Sequence, residues 1–205
     1  MSRLNAFTLI ELLIVVAIIA ILAAIAVPNF LEAQTRAKVS RSMADMRSLA
    51  TAVEAYRVDW NRAVPYGRID AGGVIQLPAT QNAIDDLMAF IAPAITTPVA
   101  FITAVPLDPF AVDFQHDDTT LIRQFEYLNL VQHVDNFPRP FPAPWMGELI
   151  PAWGEWRMVA AGPDRDRGQD IKNGIVYDAT NGTVSDGDVV RSQRFADSEF
   201  NPDHP

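Results

Sequence analysis

An alternating run of acidic residues near the C-terminus has the composition of a metal site. Its three carboxylates surround a glycine in the run Asp-Arg-Asp-Arg-Gly-Gln-Asp: Asp164, Asp166 and Asp170. Hard cations such as calcium take about six to eight oxygen ligands, and alternate acids in a tight loop can converge on one ion. Two later acids, Asp178 and Asp188, could complete the shell. The pattern predicts a calcium site, although Arg165 and Arg167 also allow a solvated loop with surface ion pairs.

A single carboxylate, Glu11, lies inside the otherwise apolar run Phe7–Val27, where Thr8 is the other polar residue. A charged group in hydrocarbon is costly unless it finds a partner, so an acid within such a run marks a functional position. We therefore expect Glu11 to have a defined partner.

The remaining residues with reactive side chains form no catalytic pattern. The three histidines are scattered along the chain: His116, His133 and His204. No serine lies in a nucleophile-elbow pattern, no glycine-rich phosphate loop occurs, and no cysteine is present to form a thiolate metal site. The sequence predicts that the protein is not an enzyme.

The run around Glu11 is long enough to span a membrane. Its 21 residues form a helix of about 30 Å, the thickness of a bilayer core. A removable signal peptide is one alternative, with Arg3 before the run and Ala24-Ile25-Ala26 as a cleavage site. A plain membrane anchor is another. The length of the run and its internal acid argue against the signal peptide.

A second helical segment, amphipathic, is predicted from residue 29 to residue 62, where neither proline nor glycine occurs. Pro28 removes one helical hydrogen bond and should kink or loosen the helix where the segments meet. Apolar residues then recur at helical spacing, with Leu49 and Ala50 between them: Val39, Met43, Met46, Val53, Tyr56 and Trp60. We expect this stripe to pack against a globular domain.

Residues 63–197 are interpreted as that domain, and residues 198–205 as a tail. The expected elements are a short helix over Asn82–Ile91, strands over 121–131 and Trp156–Ala161, and a hairpin turning at Asn181-Gly182. The Pro- and Trp-rich stretch 136–156 is expected to be an ordered surface insertion, because its tryptophans have apolar area to bury.

Charge is divided unevenly along the chain. Residues 1–62 carry seven basic and five acidic side chains, whereas the remainder carries nine basic and twenty acidic ones, a balance of −11. Nucleic acid is bound through clustered Lys and Arg, so no nucleic-acid partner is expected.

The N-terminus resembles that of the type IV pilin and type II secretion pseudopilin superfamily. A short polar leader ends at Ala6, where the family more often has Gly, and is followed by Phe7-Thr-Leu-Ile-Glu11, an apolar run and Pro28. Pro106-Leu-Asp-Pro-Phe110 is similar to the Pro-x-Asp-Pro-aromatic turn of major pseudopilins, and it is also typical of a tight turn in which Asp108 caps its own backbone. The acid-rich run is similar to their calcium loop at Asp164 and Asp170, but its two arginines depart from that pattern.

This resemblance implies how the chain is processed and assembled. A membrane prepilin peptidase would cleave between Ala6 and Phe7, leaving residues 1–6 as the leader, and the new Phe7 amine would be methylated. We then expect Glu11 of one subunit to neutralise the Phe7 amine of its neighbour in a helical filament, with residues 7–28 forming the core. Besides copies of itself, the implied partners are minor pseudopilins, an inner-membrane assembly platform and, before assembly, membrane lipid.

The resemblance also implies a fold and a location. The expected fold is α+β and pilin-like, with a long N-terminal helix, transmembrane then amphipathic, packed on a small antiparallel sheet domain with loop-rich insertions. The domain would lie in the periplasm of a bacterium and the helix in the inner membrane. The positive-inside rule favours the opposite orientation, because Arg36, Lys38 and Arg41 follow the apolar run while only Arg3 and the terminal amine precede it.

Three functions remain open from the sequence. The first is the major pseudopilin of a type II secretion system, favoured by the Pro106–Phe110 turn, the acidic loop and the lack of cysteine. The second is a type IV pilin of a surface fibre for adhesion, motility or DNA uptake. The third is a membrane-anchored periplasmic binding domain that never polymerises.

Overall fold

The computed structural model describes residues 8–69, 75–76, 90–111, 115–116, 120–121, 124–135, 147–163, 165, 177 and 187–196. Its helices are α1 (Leu9–Trp60), α2 (Leu130–Asp135) and α3 (Leu149–Trp153). Its strands are β1 (Tyr66–Ile69), β2 (Ile75–Gln76), β3 (Phe90–Ile91), β4 (Gln115–His116), β5 (Thr120–Leu121), β6 (Glu126–Asn129), β7 (Trp156–Ala160) and β8 (Val189–Ser192). The predicted α+β class, with a long apolar N-terminal helix and small antiparallel sheets, is confirmed.

The two predicted helical segments form one helix, α1, of 52 residues. Pro28 lies inside it without ending it. A proline within a helix removes one hydrogen bond but does not prevent the neighbouring turns from continuing. The segments expected at 7–28 and 29–62 are therefore joined directly.

The apolar stripe of α1 packs against the domain as predicted, over eight buried residues: Val39, Ser42, Met46, Leu49, Ala50, Ala52, Val53 and Tyr56. Met43 is partly buried against the same core. Trp60 was wrongly included in the buried stripe, because its side chain is 50% exposed. It lies at the end of the helix and stacks on Tyr56, with 6.0 Å between ring centroids.

Three antiparallel strands form the sheet that faces α1, in the order β6-β7-β8. Their register pairs Tyr127 with Met158, and Met158 with Arg191. A second three-stranded sheet has the order β2-β1-β3. The predicted strand Trp156–Ala161 is confirmed as β7, all of whose residues are buried. Four of its five residues are apolar and Arg157 is buried with them, which fits a strand covered on both faces.

The strand predicted over 121–131 was wrong in its extent. Thr120–Leu121 is a short strand paired with β4, and β6 ends at Asn129. The side-chain oxygen of Asn129 accepts a hydrogen bond from the backbone N–H of Gln132 at 3.0 Å. An Asn that bonds the N–H three residues later starts a helix, so Leu130 begins α2.

The helix predicted over Asn82–Ile91 was also wrong at its C-terminal end, and residues 82–89 lie outside the described residues. Phe90 and Ile91 form β3, which pairs antiparallel with Gly67 and Tyr66 of β1. Both are buried. At Phe90 and Ile91, pairing with β1 therefore overrides the helical pattern of the local sequence.

The Pro- and Trp-rich stretch 136–156 is described from residue 147 onward. Trp153 of α3 and Trp156 of β7 are both buried, as expected for ordered packing. Trp145 and the hairpin at Asn181-Gly182 lie outside the described residues.

Candidate functional site

The N-terminus of α1 is closed by Thr8 and Glu11. Thr8 is extended (φ −81°, ψ 151°), and its Oγ1 accepts a hydrogen bond from the Glu11 N–H at 3.3 Å. In return, Glu11 Oε2 accepts hydrogen bonds from the Thr8 N–H at 2.9 Å and from the Thr8 hydroxyl at 2.7 Å. This reciprocal arrangement is a capping box, which satisfies backbone donors that the first helical turn leaves open.

The capping box gives Glu11 polar partners within its own chain. Its carboxylate also lies at the positive end of the helix dipole, which favours an anion. Both hydrogen bonds from Thr8 end on Oε2, and among the described residues Oε1 accepts none. The role of Thr8 was missed in the sequence, although Thr-x-x-Glu before an apolar run is the pattern that reveals it.

The apolar half of α1 has no cover from its own chain. Fifteen large apolar side chains between residues 9 and 31 are each at least 46% exposed: Leu9, Ile10, Leu12, Leu13, Ile14, Val15, Val16, Ile18, Ile19, Ile21, Leu22, Ile25, Val27, Phe30 and Leu31. They surround the helix rather than forming one stripe. By length and composition this helix can cross a membrane. An apolar surface of this size must be covered by lipid or by other protein chains.

Ala6 and Phe7 lie outside the described residues, so the predicted cleavage and methylation at these positions stay predictions. Glu11 lies near the start of the exposed apolar half and Pro28 lies near its end. The structure therefore places two of the predicted assembly residues on one apolar rod.

The far end of α1 is joined to the domain by polar contacts. Arg57 donates two hydrogen bonds to the Glu155 carboxylate, from Nε at 2.7 Å and from a terminal nitrogen at 2.9 Å. These bonds hold the pKa of the Glu155 carboxyl below its ordinary value. Nearby, the indole N–H of Trp156 donates to Glu54 Oε1 at 2.7 Å. The contacts tie the helix to the first residues of β7.

An open cleft of about 490 Å³ lies beside this joint. Its lining mixes polar and apolar residues: Asn61, Arg62, Ala63, Pro65, Asn129, Val131, Gln132, Asp135 and Glu155. Several of these groups are engaged in holding the chain together, since Asn129 donates to the Val64 carbonyl and Gln132 bonds both backbone groups of Tyr66. The residues that line the cleft include no nucleophile beside a base. Their side-chain hydrogen bonds hold neighbouring segments of the chain together.

The predicted turn at Pro106–Phe110 is present and its acid is buried. Asp108 is 2% exposed, and its Oδ1 accepts a hydrogen bond from the Phe110 N–H at 2.9 Å. Its Oδ2 accepts another from the Ala161 N–H at 2.9 Å. Asp108 therefore caps its own turn, as predicted, and also binds the end of β7, which the sequence did not indicate.

Of the predicted calcium ligands, Asp188 alone lies within the described residues, while Asp164, Asp166, Asp170 and Asp178 do not. Asp188 is 3% exposed, and its carbonyl accepts a hydrogen bond from the Tyr177 N–H at 2.9 Å. In the described part of the chain, no three His, Asp or Glu side chains are grouped so as to hold a metal ion. The calcium site stays a prediction.

The histidines form no common site in the described residues. His133 of α2 is buried, and its Nδ1 lies 3.3 Å from the Tyr66 hydroxyl. Burial lowers the pKa of His133 to about 4. His116 belongs to β4, and His204 lies outside the described residues. His133 is a packed side chain that is neutral at physiological pH.

Comparison with known proteins gives relatives of two kinds. Residues 1–27 match the family model for the prokaryotic N-terminal methylation motif. The type IV major pilin protein PilA of Myxococcus xanthus is 54% identical over 54 residues, which are 26% of this chain and 24% of that pilin. Type II secretion system core protein G of Pseudomonas aeruginosa is 30% identical over 112 residues, 55% of this chain and 72% of the relative. The core protein G of Pectobacterium carotovorum is 28% identical over 115 residues.

The two kinds of match differ in reach. The chain spans only about a quarter to a third of the length of pilins such as those of M. xanthus and Dichelobacter nodosus, at 24% and 36%. An alignment of 112 residues is longer than everything up to the end of α1 at Trp60, so it includes residues of the domain. No solved structure matches the chain.

Proposed function

This chain belongs to the superfamily of type IV pilins and type II secretion pseudopilins, and we propose that it is the major pseudopilin of a type II secretion system. Membership makes it a structural subunit rather than an enzyme. The observation that carries the finer proposal is the similarity to core protein G, which extends past α1 into the domain. The similarity to the pilin of M. xanthus covers 54 residues, no more than the leader and α1 together contain.

In the proposed mechanism the unassembled subunit is inserted in the inner membrane, with its domain in the periplasm. Prepilin peptidase removes residues 1–6, and Phe7 acquires a free, methylated amine. The capping box holds Oε2 of Glu11 while the subunit is alone. Oε1 is then available to the Phe7 amine of a neighbouring subunit, so a filament contact forms without first breaking the bonds to Thr8.

Assembly then covers the apolar half of α1 with the same half of other subunits. Apolar packing is not directional, so it does not by itself fix the axial position of one helix against the next. A buried ion pair does, because removing one partner leaves the other charge without compensation. Glu11 is proposed to set the register of the filament, with minor pseudopilins and an assembly platform as partners.

Replacement of Glu11 by valine is expected to leave membrane insertion intact and to reduce filament yield by about tenfold or more, because the neighbour's amine is then buried unpaired. The measurement is the amount of sheared filament, by immunoblot and electron microscopy, relative to membrane-bound subunit. The control is Asp59→Asn, which removes one negative charge at the distant, exposed end of α1. Wild-type filament yield from Glu11→Val would refute the register role.

The same preparations separate the rival functions. A membrane-anchored binding domain forms no filaments under any condition. A surface pilin forms long fibres on wild-type cells, whereas a pseudopilus stays within the envelope at normal expression. Long fibres on unmodified cells would therefore overturn the pseudopilin assignment and leave the superfamily intact.

We also propose that the acid-rich run 164–170 binds calcium beside Asp188. The support is positional: Gly162, two residues before the run, lies in tight contact with Gly187, and Asp188 follows with a buried side chain. Asp164, Asp166 and Asp170 would supply oxygens from the run, and Asp178 and Asp188 would complete the shell. The ion would cross-link the end of the sheet.

Calcium at about 100 times its dissociation constant is expected to raise the Tm of the protein by roughly 5–10 °C over a chelator-treated sample. Asp164→Ala should abolish the difference, whereas the control Asp135→Ala, at an exposed position of α2, should keep it. The measurement is thermal unfolding with and without chelator. Equal Tm values for wild type in both conditions would exclude a structural ion.

A further inference from the structure

Three basic side chains follow the apolar half of α1 and have no role in the mechanism above: Arg36, Lys38 and Arg41. The transition is abrupt, because the exposed large apolar residues stop at Leu31 and do not return on α1 until Val58. From residue 32 to residue 44 the single acid is Glu32, so this stretch carries a net charge of +2. A positive segment thus directly adjoins the surface that lipid would cover.

The continuity of α1 fixes the height of these charges. At a rise of about 1.5 Å per residue, Arg36 and Arg41 lie roughly 7 and 15 Å beyond Leu31. The Cα–Cβ bonds of a helix tilt toward its N-terminus, so the first atoms of all three side chains lean toward the apolar half. With residues 9–31 in hydrocarbon, the long Arg and Lys stems bring their charged ends to the headgroup layer, which adds about 5–8 Å on each side of the core.

Contacts within the chain leave these groups open to solvent. Arg36 pairs with Glu32 while its own side chain stays 61% exposed. Arg41 lies 3.5 Å from Asp45 and is 71% exposed. Lys38 is exposed, with Nζ 5.8 Å from the centre of the Phe110 ring. Exposed pairs of this kind contribute little stability, so a phosphate can replace or join them at low cost.

We propose that Arg36, Lys38 and Arg41 bind the phosphate groups of anionic phospholipids, in the leaflet from which the domain emerges. The inference rests on the membrane-inserted subunit proposed above. It gives a function to positive charges on the side where the positive-inside rule disfavours them. The lipids would hold the unassembled subunit at a fixed depth, with the carboxylate of Glu11 near the opposite surface. Anionic lipid is the ligand that fits these side chains, because Arg36 follows Leu31, the last exposed apolar residue of this half, by one to two helical turns.

Lipid selectivity of the monomer tests the proposal. The full mature chain is placed in phosphatidylcholine vesicles that contain a trace of spin-labelled phosphatidylglycerol or spin-labelled phosphatidylcholine, and electron spin resonance gives the fraction of immobilised label. Wild type is expected to favour phosphatidylglycerol by about threefold or more at low salt. The preference should fall toward unity at about 1 M salt, where the Debye length is short.

Two variants make the result specific. Arg36→Gln combined with Lys38→Gln and Arg41→Gln should remove the preference, with helix content by circular dichroism unchanged. Arg62→Gln, exposed just past the far end of α1, should retain it. Equal immobilisation of both lipids by wild type would overturn the proposal. So would a triple variant that keeps the lipid preference but loses filaments, since the charges would then serve contacts between subunits. Failure of wild type to form filaments would count against the proposed function alone, because selectivity is measured on monomers.

Discussion

Gly162→Ala is expected to lower the free energy of unfolding of the domain by about 3 kcal/mol or more. A Cβ atom at residue 162 would lie 1.9 Å from the carbonyl oxygen of Gly187 and 2.9 Å from its carbonyl carbon. Both are backbone atoms, so no change of rotamer relieves the overlap. Ala160 and Val189 form the last pair of β7 and β8 just beside this contact. Relief therefore requires the end of the central strand β7 to separate from the end of the edge strand β8.

Urea unfolding of the full chain in detergent, followed by the fluorescence of the buried Trp153 and Trp156, measures this loss. Gly154→Ala is the matched control. There the added Cβ would lie 2.6 Å from Oε1 and 2.7 Å from Cβ of Gln193, so it meets a side chain and not a backbone carbonyl. The control also carries strain from a φ of +88°, and it should cost about 1–2 kcal/mol, less than Gly162→Ala. A Gly162→Ala variant within about 1 kcal/mol of wild type would show that the strands tolerate separation.

Acid is expected to weaken the domain through His133. Burial lowers its pKa from 6.5 to about 4, since the charged imidazolium is disfavoured in the core. Above pH 6.5 His133 is neutral in both the folded and unfolded chains and does not alter stability. As the pH falls below 6.5 the unfolded chain takes up a proton that the folded chain refuses, so stability declines and the loss is complete near pH 4. The shift corresponds to about 3 kcal/mol.

The measurement is the free energy of unfolding at several pH values between 7 and 4, for wild type and for His133→Gln. Glutamine can still form a hydrogen bond with the Tyr66 hydroxyl but does not titrate. The variant should lose most of the slope between pH 6.5 and 4, and the difference between the two curves isolates His133 from carboxyls such as Glu155. Parallel curves would assign acid sensitivity to other groups.

Periodic features of the sequence predicted the largest parts of the fold. The length of the apolar run and the spacing of Val39, Met46, Val53 and Tyr56 were sufficient to predict a long helix with one buried face. The same spacing could not show that Trp60 lies outside the core, because periodicity says which face a residue is on and nothing about where the domain ends. Ser42 and Ala52 are buried for the complementary reason, since they lie on that face without being large and apolar.

Features that depend on single hydrogen bonds were harder to predict. Asn129 ends a strand and starts a helix through one side-chain contact, which alternating hydrophobicity does not reveal. Asp108 was expected to cap its own turn, but its second bond to Ala161 joins positions 53 residues apart. Thr8-x-x-Glu11 is the pattern of a capping box, yet the only partner predicted for Glu11 was the Phe7 amine of a neighbouring subunit. A hydrogen bond between residues three positions apart, as at Thr8 and Glu11, can thus be predicted from a sequence pattern. The bond between Asp108 and Ala161 cannot, because it depends on the fold.

Helix α1 is continuous, and Pro28 is the position at which it bends most easily. Over 52 residues the helix is about 78 Å long, and Arg57 and Trp156 fasten its far end to the sheet. Pro28 has no N–H to offer the carbonyl four residues earlier, so bending is easiest there, close to where the apolar half ends. A force or torque applied to the domain is therefore transmitted along α1 as far as Leu31. The helix then bends most easily in the adjoining turn, which contains Pro28. In the membrane-inserted subunit proposed above, a force on the domain would therefore reach the apolar residues before Pro28 through this one bend.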